Sequence, residues 1–245
     1  MPSEVCANRT TAWIGQTVNS MIKTEHIDVW GFEHAIRGMR KSYNSMDRSD
    51  SKFTHNGTII GDNDLALMKG LYKAGQSHRK WARQVMVSMD VTAPLYWWKQ
   101  FDTYKVGTTA NSESTMHTIM SKEFDASDFS FEATEKVMTS EFLEHMILVL
   151  NELRDCYVNF DDYVERGVIM EDTEKGSIFK TLIELLPSGF LQTRTITLSY
   201  ENIFAIIEQR SHHKLSEWQD FISDLKCLPY IKTLTEKGEN NGQLR

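Results

Sequence analysis

Proline is scarce in this sequence, with 4 in 245 residues, and glycine is used sparingly at 13. So few chain breakers favour long helices over the many tight turns of a sandwich or barrel. Cysteine is rarer still: Cys6, Cys156 and Cys227 stand far apart, are odd in number and form no C-x-x-C pair. This argues against a disulfide framework and a thiolate zinc site, and for a reducing, cytoplasmic setting. No apolar run approaches the roughly 20 residues that a membrane helix requires. The opening residues, M-P-S-E-V-C-A-N-R, lack the basic-then-apolar order of a secretory signal. An excess of positive charge is also missing, since 27 Lys and Arg face 34 Asp and Glu for a net −7. A broad nucleic-acid surface is therefore not expected, although a few local cations suffice for one bound nucleotide.

What is present is ordinary for a globular protein: 40% hydrophobic and 25% charged residues. We expect a single domain over 1–245, with flexible ends at 1–12 and 236–245. Helical periodicity marks 33–42, a segment starting at Asp62 or Asp64 and ending at Gly75, 134–158, 177–186, and two segments after Ser199 that end at Pro229. On 134–158 the apolar face is Val137, Phe142, Met146, Ile147, Leu150 and Leu153. Val85, Val87, Met89 and Val91 alternate with Met86, Ser88 and Asp90, a strand pattern, and 193–198 repeats it. Ile27, Val29 and Trp30 suggest a short strand. The polar stretch 42–61 reads as a long exposed loop, 124–131 as a polar connector, and 160–172 as acidic and ambiguous. The fold class is α+β, mostly helical with a small sheet.

The most informative stretch is 93–118, A-P-L-Y-W-W-K-Q-F-D-T-Y-K-V-G-T-T-A-N-S-E-S-T-M-H-T. Thr92 is placed to cap a helix with Pro94 in its first turn, and Gly107 to end it. The helix would deliver the polar run 108–118 to one place, as scaffolded binding loops are delivered. Thr108, Thr109, Asn111, Ser112, Ser114 and Thr115 suit a phosphate cradle, while a plain solvated loop capping the next helix is the blander alternative. Lys99, Lys105, Arg79, Lys80 and Arg210 are the candidate cations, of which a nucleoside monophosphate needs roughly two. His212 and His213 are adjacent and point about 100° apart on a helix, so they do not chelate together. Glu141 and His145 share a helix face, but no second ligand helix accompanies them, and no metal is expected. In Tyr96-Trp97-Trp98, Trp98 reads as core and Trp97 is open between core and a stacking role.

Three segments, taken together, resemble the flavin-dependent thymidylate synthases. Ala74-Gly75-Gln76-Ser77-His78-Arg79-Lys80 is similar to an element that precedes a strand in that family. Asn111-Ser112-Glu113-Ser114-Thr115-Met116-His117 resembles the end of its signature loop, R-H-R-x-x-S-x-N-E-x-S-x-R-Y. Arg210, followed by His213 and Glu217-Trp218, resembles its C-terminal helix. The similarity spans 60–118 and 193–230. It implies one-carbon transfer from reduced folate to C5 of a deoxyuridine monophosphate, with FAD and NADPH, in a homotetramer with sites between subunits. By the same resemblance Arg210 and Ser114 are catalytic, and His78, Arg79, Lys105 and Asn111 bind the cofactor. Lys99, Gln100, Ser112, Glu113, Ser114 and Arg210 bind the substrate, which requires 111–117 to fold beside Arg210 within or across protomers. The departures are specific. Tyr104-Lys105-Val106 replaces Arg-His-Arg, and Met116-His117 replaces Arg-Tyr. A non-catalytic, oligomeric nucleotide-binding protein and an enzyme making a modified pyrimidine are the alternatives on the same scaffold.

Overall fold

A computed structural model describes residues 22–54, 57–131 and 140–235. The expected flexible ends and Val137 lie outside these residues. The chain packs as two compact units. The first comprises the described parts of Met1–Val91, Tyr104–Asn111 and Thr195–Arg245; the second comprises those of Thr92–Thr103 and Ser112–Arg194.

In the first unit, β1 (Lys23–Trp30) leads into α1 (Phe32–Ser42). The short strands β2 (Lys52–Thr54) and β3 (Gly57–Ile59) pair antiparallel, and α2 (Asp62–Lys73) follows. The stretch expected as an exposed loop is thus a tethered hairpin, and its anchor is Asp64. That carboxylate is fully buried and accepts hydrogen bonds from Arg40 Nε at 2.6 Å, Ser49 Oγ at 2.8 Å and Ser51 Oγ at 2.6 Å. The backbone N–H groups of Asp50 and Ser51 also donate to it, each at 3.1 Å. The serines that read as loop composition are its ligands. Neither Asp62 nor Asp64 caps α2. Asp50 does so from just ahead of the hairpin, accepting from the N–H groups of Asn63 and Asp64.

Gly31 turns the chain between β1 and α1 at φ +97°, and a Cβ there would lie 2.0 Å from the Gln84 carbonyl oxygen. Gly31→Ala is therefore expected to cost more than about 2 kcal/mol, from the left-handed backbone and the clash together. A lowered urea midpoint with unchanged slope is the check.

β4 (Met86–Pro94) is the expected strand, extended by three residues. Val87, Met89, Val91 and Ala93 are buried, while Ser88, Asp90 and Thr92 are half-buried on the other face. Its partner β6 (Leu191–Ser199) buries Gln192, Ile196 and Leu198. Across the polar face Ser88 shares a hydrogen bond with Thr197, Thr195 donates to Asp90, and Thr92 shares one with Thr193. Each step forward on one strand is a step back on the other, so the pair is antiparallel. With β5 (Thr108–Ser112) the sheet has the order β1-β4-β6-β5.

After β6, Ser199 accepts from Asn202 N–H in a capping box and starts α8 (Tyr200–Arg210), as expected. Ile203, Phe204, Ile206 and Ile207 of α8 are buried. α9 (Ser216–Cys227) buries Trp218, Phe221, Ile222 and Leu225 against it, and α10 (Ile231–Thr235) closes the described chain.

In the second unit, α3 (Leu95–Phe101) is shorter than expected, and Thr92 does not cap it. The strand runs through Thr92 to Pro94, and the first N–H groups of α3 donate to the Phe190 and Ser188 carbonyls. Trp97 and Trp98 are both fully buried, so Trp97 is core as well. The helices α4 (Thr115–Thr118), α5 (Ser140–Val158), α6 (Phe160–Glu165) and α7 (Lys175–Leu185) complete this unit.

α5 packs on α7. Its buried stripe runs through Leu143 and Leu150, with Met146, Ile147 and Leu153 partly buried beside them. Phe142 is 49% exposed, because it lies one residue, about 100°, off that stripe. The expected polar connector carries Phe124, Phe129 and Phe131 into the same core. A one-turn helix over Ala126–Asp128, closed by an Asp125–Asp128 capping box, takes up its polar residues. Among the described residues, no helix is long and apolar enough to cross a membrane.

Candidate functional site

The polar run after Gly107 is an edge strand and a short helix, not a loop, and from Ser112 onward it belongs to the second unit. Ser112, Glu113 and Ser114 are exposed, and the Ser112 and Ser114 hydroxyls take no hydrogen bond among the described residues. Ser114 sits at the start of α4 but does not cap it with its side chain. Behind this segment stands Gln192, only 8% exposed. Its Nε2 donates to the Glu113 carbonyl at 2.9 Å and to Thr115 Oγ1 at 3.1 Å, and its Oε1 accepts from Arg194 Nε at 3.0 Å. Arg194 lies over the Trp98 ring at 4.4 Å and donates from Nη1 to Asp102 at 2.8 Å. Trp98 Nε1 donates in turn to the Gln192 carbonyl. Beside the segment is a cavity of about 130 Å3 lined by Glu113, Thr115, Lys122, Phe124, Phe190 and Gln192, among others. Lys122 pairs with Asp128 at its edge, and that hydrogen bond holds the Lys122 ammonium above its ordinary pKa. Lys99 is exposed on α3 and Gln100 is half-buried.

In the first unit, Arg210 ends α8 half-buried. Its Nε donates to Tyr104 Oη at 2.9 Å, and its guanidinium lies 4.8 Å from the Trp218 ring and 5.5 Å from the Tyr104 ring. Tyr104 Oη donates to Gln209 at 3.1 Å, and Gln219 Nε2 donates to the Arg210 carbonyl. The guanidinium is thus held against both rings, with its Nη groups making no hydrogen bond or ion pair among the described residues. His213 closes the cluster. Its Nδ1 accepts from the Leu215 N–H at 3.2 Å, and burial first, then the Arg210 charge, lowers its pKa. Both effects favour the neutral imidazole.

The turn from Tyr104 to Thr108 is fixed from below. Asn202 Nδ2 donates to the Val106 carbonyl at 2.7 Å while its other side-chain atom closes the α8 cap. Gly107 takes φ +75° with Asn202 Oδ1 only 3.1 Å from where a Cβ would stand, so glycine permits the close approach. Lys105 projects into solvent, and Val106 is 89% exposed.

The remaining sequence candidates divide. His78, Lys105 and Asn111 are exposed with side chains uncommitted among the described residues. Arg79 is buried: its Nε stands 3.2 Å and 2.9 Å from the two Glu201 oxygens, and its guanidinium covers Tyr72 and Phe204. The Arg79 charge is therefore matched by Glu201 within the core, whereas Lys105 and Lys99 are exposed. Met116 and His117 are exposed on α4. Arg210 belongs to the first unit and Ser112, Glu113 and Ser114 to the second. No group of three or more metal-ligating side chains occurs among the described residues, and Glu141 and His145 are exposed on α5. Sequence reasoning missed Gln192, Arg194 and Asp102. The signal was available, because residues 192 and 194 share the inward register of Ile196 and Leu198. A polar pair on an inward register demands partners.

This architecture has solved counterparts. The chain is similar to a crystal structure of the flavin-dependent thymidylate synthase ThyX from Helicobacter pylori complexed with FAD and dUMP. The match has a TM-score of 0.56 and 15% identity, over 84% of this chain and 94% of that one. A second crystal structure of that enzyme with FAD and dUMP matches with a TM-score of 0.58 and 14% identity, over 89% and 100%. No family model matches the sequence, and no curated protein is similar to it. The fold is that of the flavin-dependent thymidylate synthases: mostly helical, with a small sheet.

Proposed function

We propose that the protein is a thymidylate-synthase-like enzyme. It binds a deoxyuridine monophosphate and adds a one-carbon unit from reduced folate to C5 of the base, using FAD and NADPH in a homotetramer. The observation that carries this reading is Arg210. A guanidinium lying over Trp218 and held at Nε by Tyr104 leaves its two Nη groups to donate together. Such a fork suits the carbonyl edge of a pyrimidine and favours negative charge developing on the ring. In the second unit, the uncommitted hydroxyls of Ser112 and Ser114 suit phosphate oxygens, with Lys99, Gln100 and Glu113 as further substrate contacts.

The residues present fit a phosphate-bearing flavin by donor chemistry. Lys105 offers an ammonium, Asn111 an amide and His78 an imidazole, all exposed and uncommitted. These three would hold FAD, which supplies the two-electron chemistry when bound. Lys105 projects from a turn pinned by Asn202, so its ammonium has a defined origin.

Val106 and Met116 favour a second reading. Both are apolar and exposed where the resemblance expects arginines. On that reading the protein binds the nucleotide as an oligomer without turnover.

The test is the purified protein. Visible flavin absorbance, tight dUMP binding and release of tritium from C5-labelled dUMP are expected, with rescue of a thymidine auxotroph. A colourless protein that does not take up FAD removes the synthase reading. Tight dUMP binding without rescue or tritium release selects the second.

A further inference from the structure

We propose that Gln192 is a positioning residue that sets the 113–115 turn for a phosphoryl group and ties it to Arg194. This rests on the nucleotide reading above. The Gln192 carboxamide is buried and can sit only one way round. Both N–H bonds are spent on acceptors, the Glu113 carbonyl and Thr115 Oγ1, while Oε1 faces the Arg194 Nε–H. Flipping it would set oxygen against oxygen at Glu113 and N–H against N–H at Arg194. Arg194 cannot drift to compensate, because Asp102 and the Trp98 ring hold it.

The consequence falls on Ser114. In a trans peptide the C=O and the following N–H point in opposite directions. With the Glu113 carbonyl drawn inward to Gln192, the Ser114 N–H faces outward. It makes no hydrogen bond among the described residues, and neither does the Ser114 hydroxyl. The N–H and the hydroxyl of one exposed residue are therefore both left without an acceptor among the described residues, and a phosphate oxygen can take both. The Glu113 N–H is meanwhile bound to the Thr193 carbonyl at 2.9 Å, which anchors the other side of the turn to the same strand.

The experiment uses full-length Gln192→Met, which keeps the shape and removes all three bonds, and Thr115→Val, which removes one acceptor and leaves the core intact. Amide hydrogen exchange over 113–118 is read beside affinities for dUMP and for deoxyuridine. Gln192→Met is expected to speed exchange at least about tenfold and to weaken dUMP about tenfold, while deoxyuridine changes less than about twofold. Thr115→Val should move in the same direction by less, and it carries the test if Gln192→Met does not fold. An unchanged ratio of dUMP to deoxyuridine affinity overturns the proposal, as does unchanged exchange over 113–118. If the unaltered protein binds neither compound, the nucleotide reading fails on its own. Exchange in the variants then still decides whether Gln192 sets the turn.

Discussion

Replacing Asp64 with alanine is expected to lower stability by about 3–5 kcal/mol, the usual cost of breaking a buried ion pair from one side. The substitution strands Arg40, which is 5% exposed and already has Nη2 buried without a partner among the described residues. It also unties Ser49, Ser51 and two backbone N–H groups from their shared acceptor. Asp64→Asn should cost much of the same amount, because an amide N–H would be turned toward a donor. Replacing Arg40 and Asp64 together by methionine and leucine should cost less than either single loss, since an apolar pair has no charge to strand. Urea midpoints of the unaltered protein, Arg40→Met, Asp64→Leu and the double variant close the cycle, and additivity would show the pair to be unimportant.

The carboxylate also gives a pH dependence. Burial raises the Asp64 pKa, but hydrogen bonds from Ser51, Arg40 and Ser49 outweigh it, so the net shift is downward. A pKa lower in the folded than in the unfolded state stabilises the fold above the unfolded value near 3.9, and the gain fades as pH falls through the folded value. The unaltered protein should therefore lose stability on acidification below about pH 4 more steeply than Asp64→Asn.

Arg210→Ala is expected to weaken dUMP binding about 100-fold. Two charge-assisted hydrogen bonds at roughly 1.5 kcal/mol each amount to about 3 kcal/mol, and 1.4 kcal/mol is a factor of ten. Arg210→Lys should recover little, since an ammonium cannot keep the Tyr104 bond, the Trp218 stack and a two-pronged contact at once. Tyr104→Phe should lose less, because the stack remains when the hydroxyl anchor is gone. Calorimetric titration reads each variant. Wild-type affinity in Arg210→Ala would mean that the base is held elsewhere.

The parts of the fold that were legible in the sequence are those where one face is buried. Val87, Met89 and Val91 alternate with polar neighbours, and Ile203, Ile206 and Ile207 repeat at helical spacing, so period alone names β4 and α8. Boundaries were less legible where one residue serves two geometries. Pro94 suits a helix start and equally a strand end. Gly107 suits a helix end, but its positive φ serves a turn held by Asn202, 95 positions later. The run 108–112 hid its strand because an edge strand with exposed side chains shows no alternation. Ser49, Ser51 and Asp50 looked like loop filler because their common acceptor, Asp64, lies beyond the hairpin.

At the candidate site, local sequence marked Ser112, Ser114, Lys105 and Arg210 as polar or charged residues near helix and strand ends. It could not separate Arg79, buried and paired with Glu201, from cations that are exposed. Nor could it foresee that Gln192 and Arg194 stand behind Glu113, because that relation depends on strand pairing across about 80 residues.

The boundaries between the two units fall at four places along the chain: after Val91, Thr103, Asn111 and Arg194. No single cleavage can release either unit as an intact piece. A protease that nicks any one boundary leaves two fragments that both contribute to the first unit, and a truncation at any boundary removes part of that unit. Dissecting this protein by subcloning one half is therefore ruled out by its connectivity, and substitutions in the whole chain are the practical route to its parts.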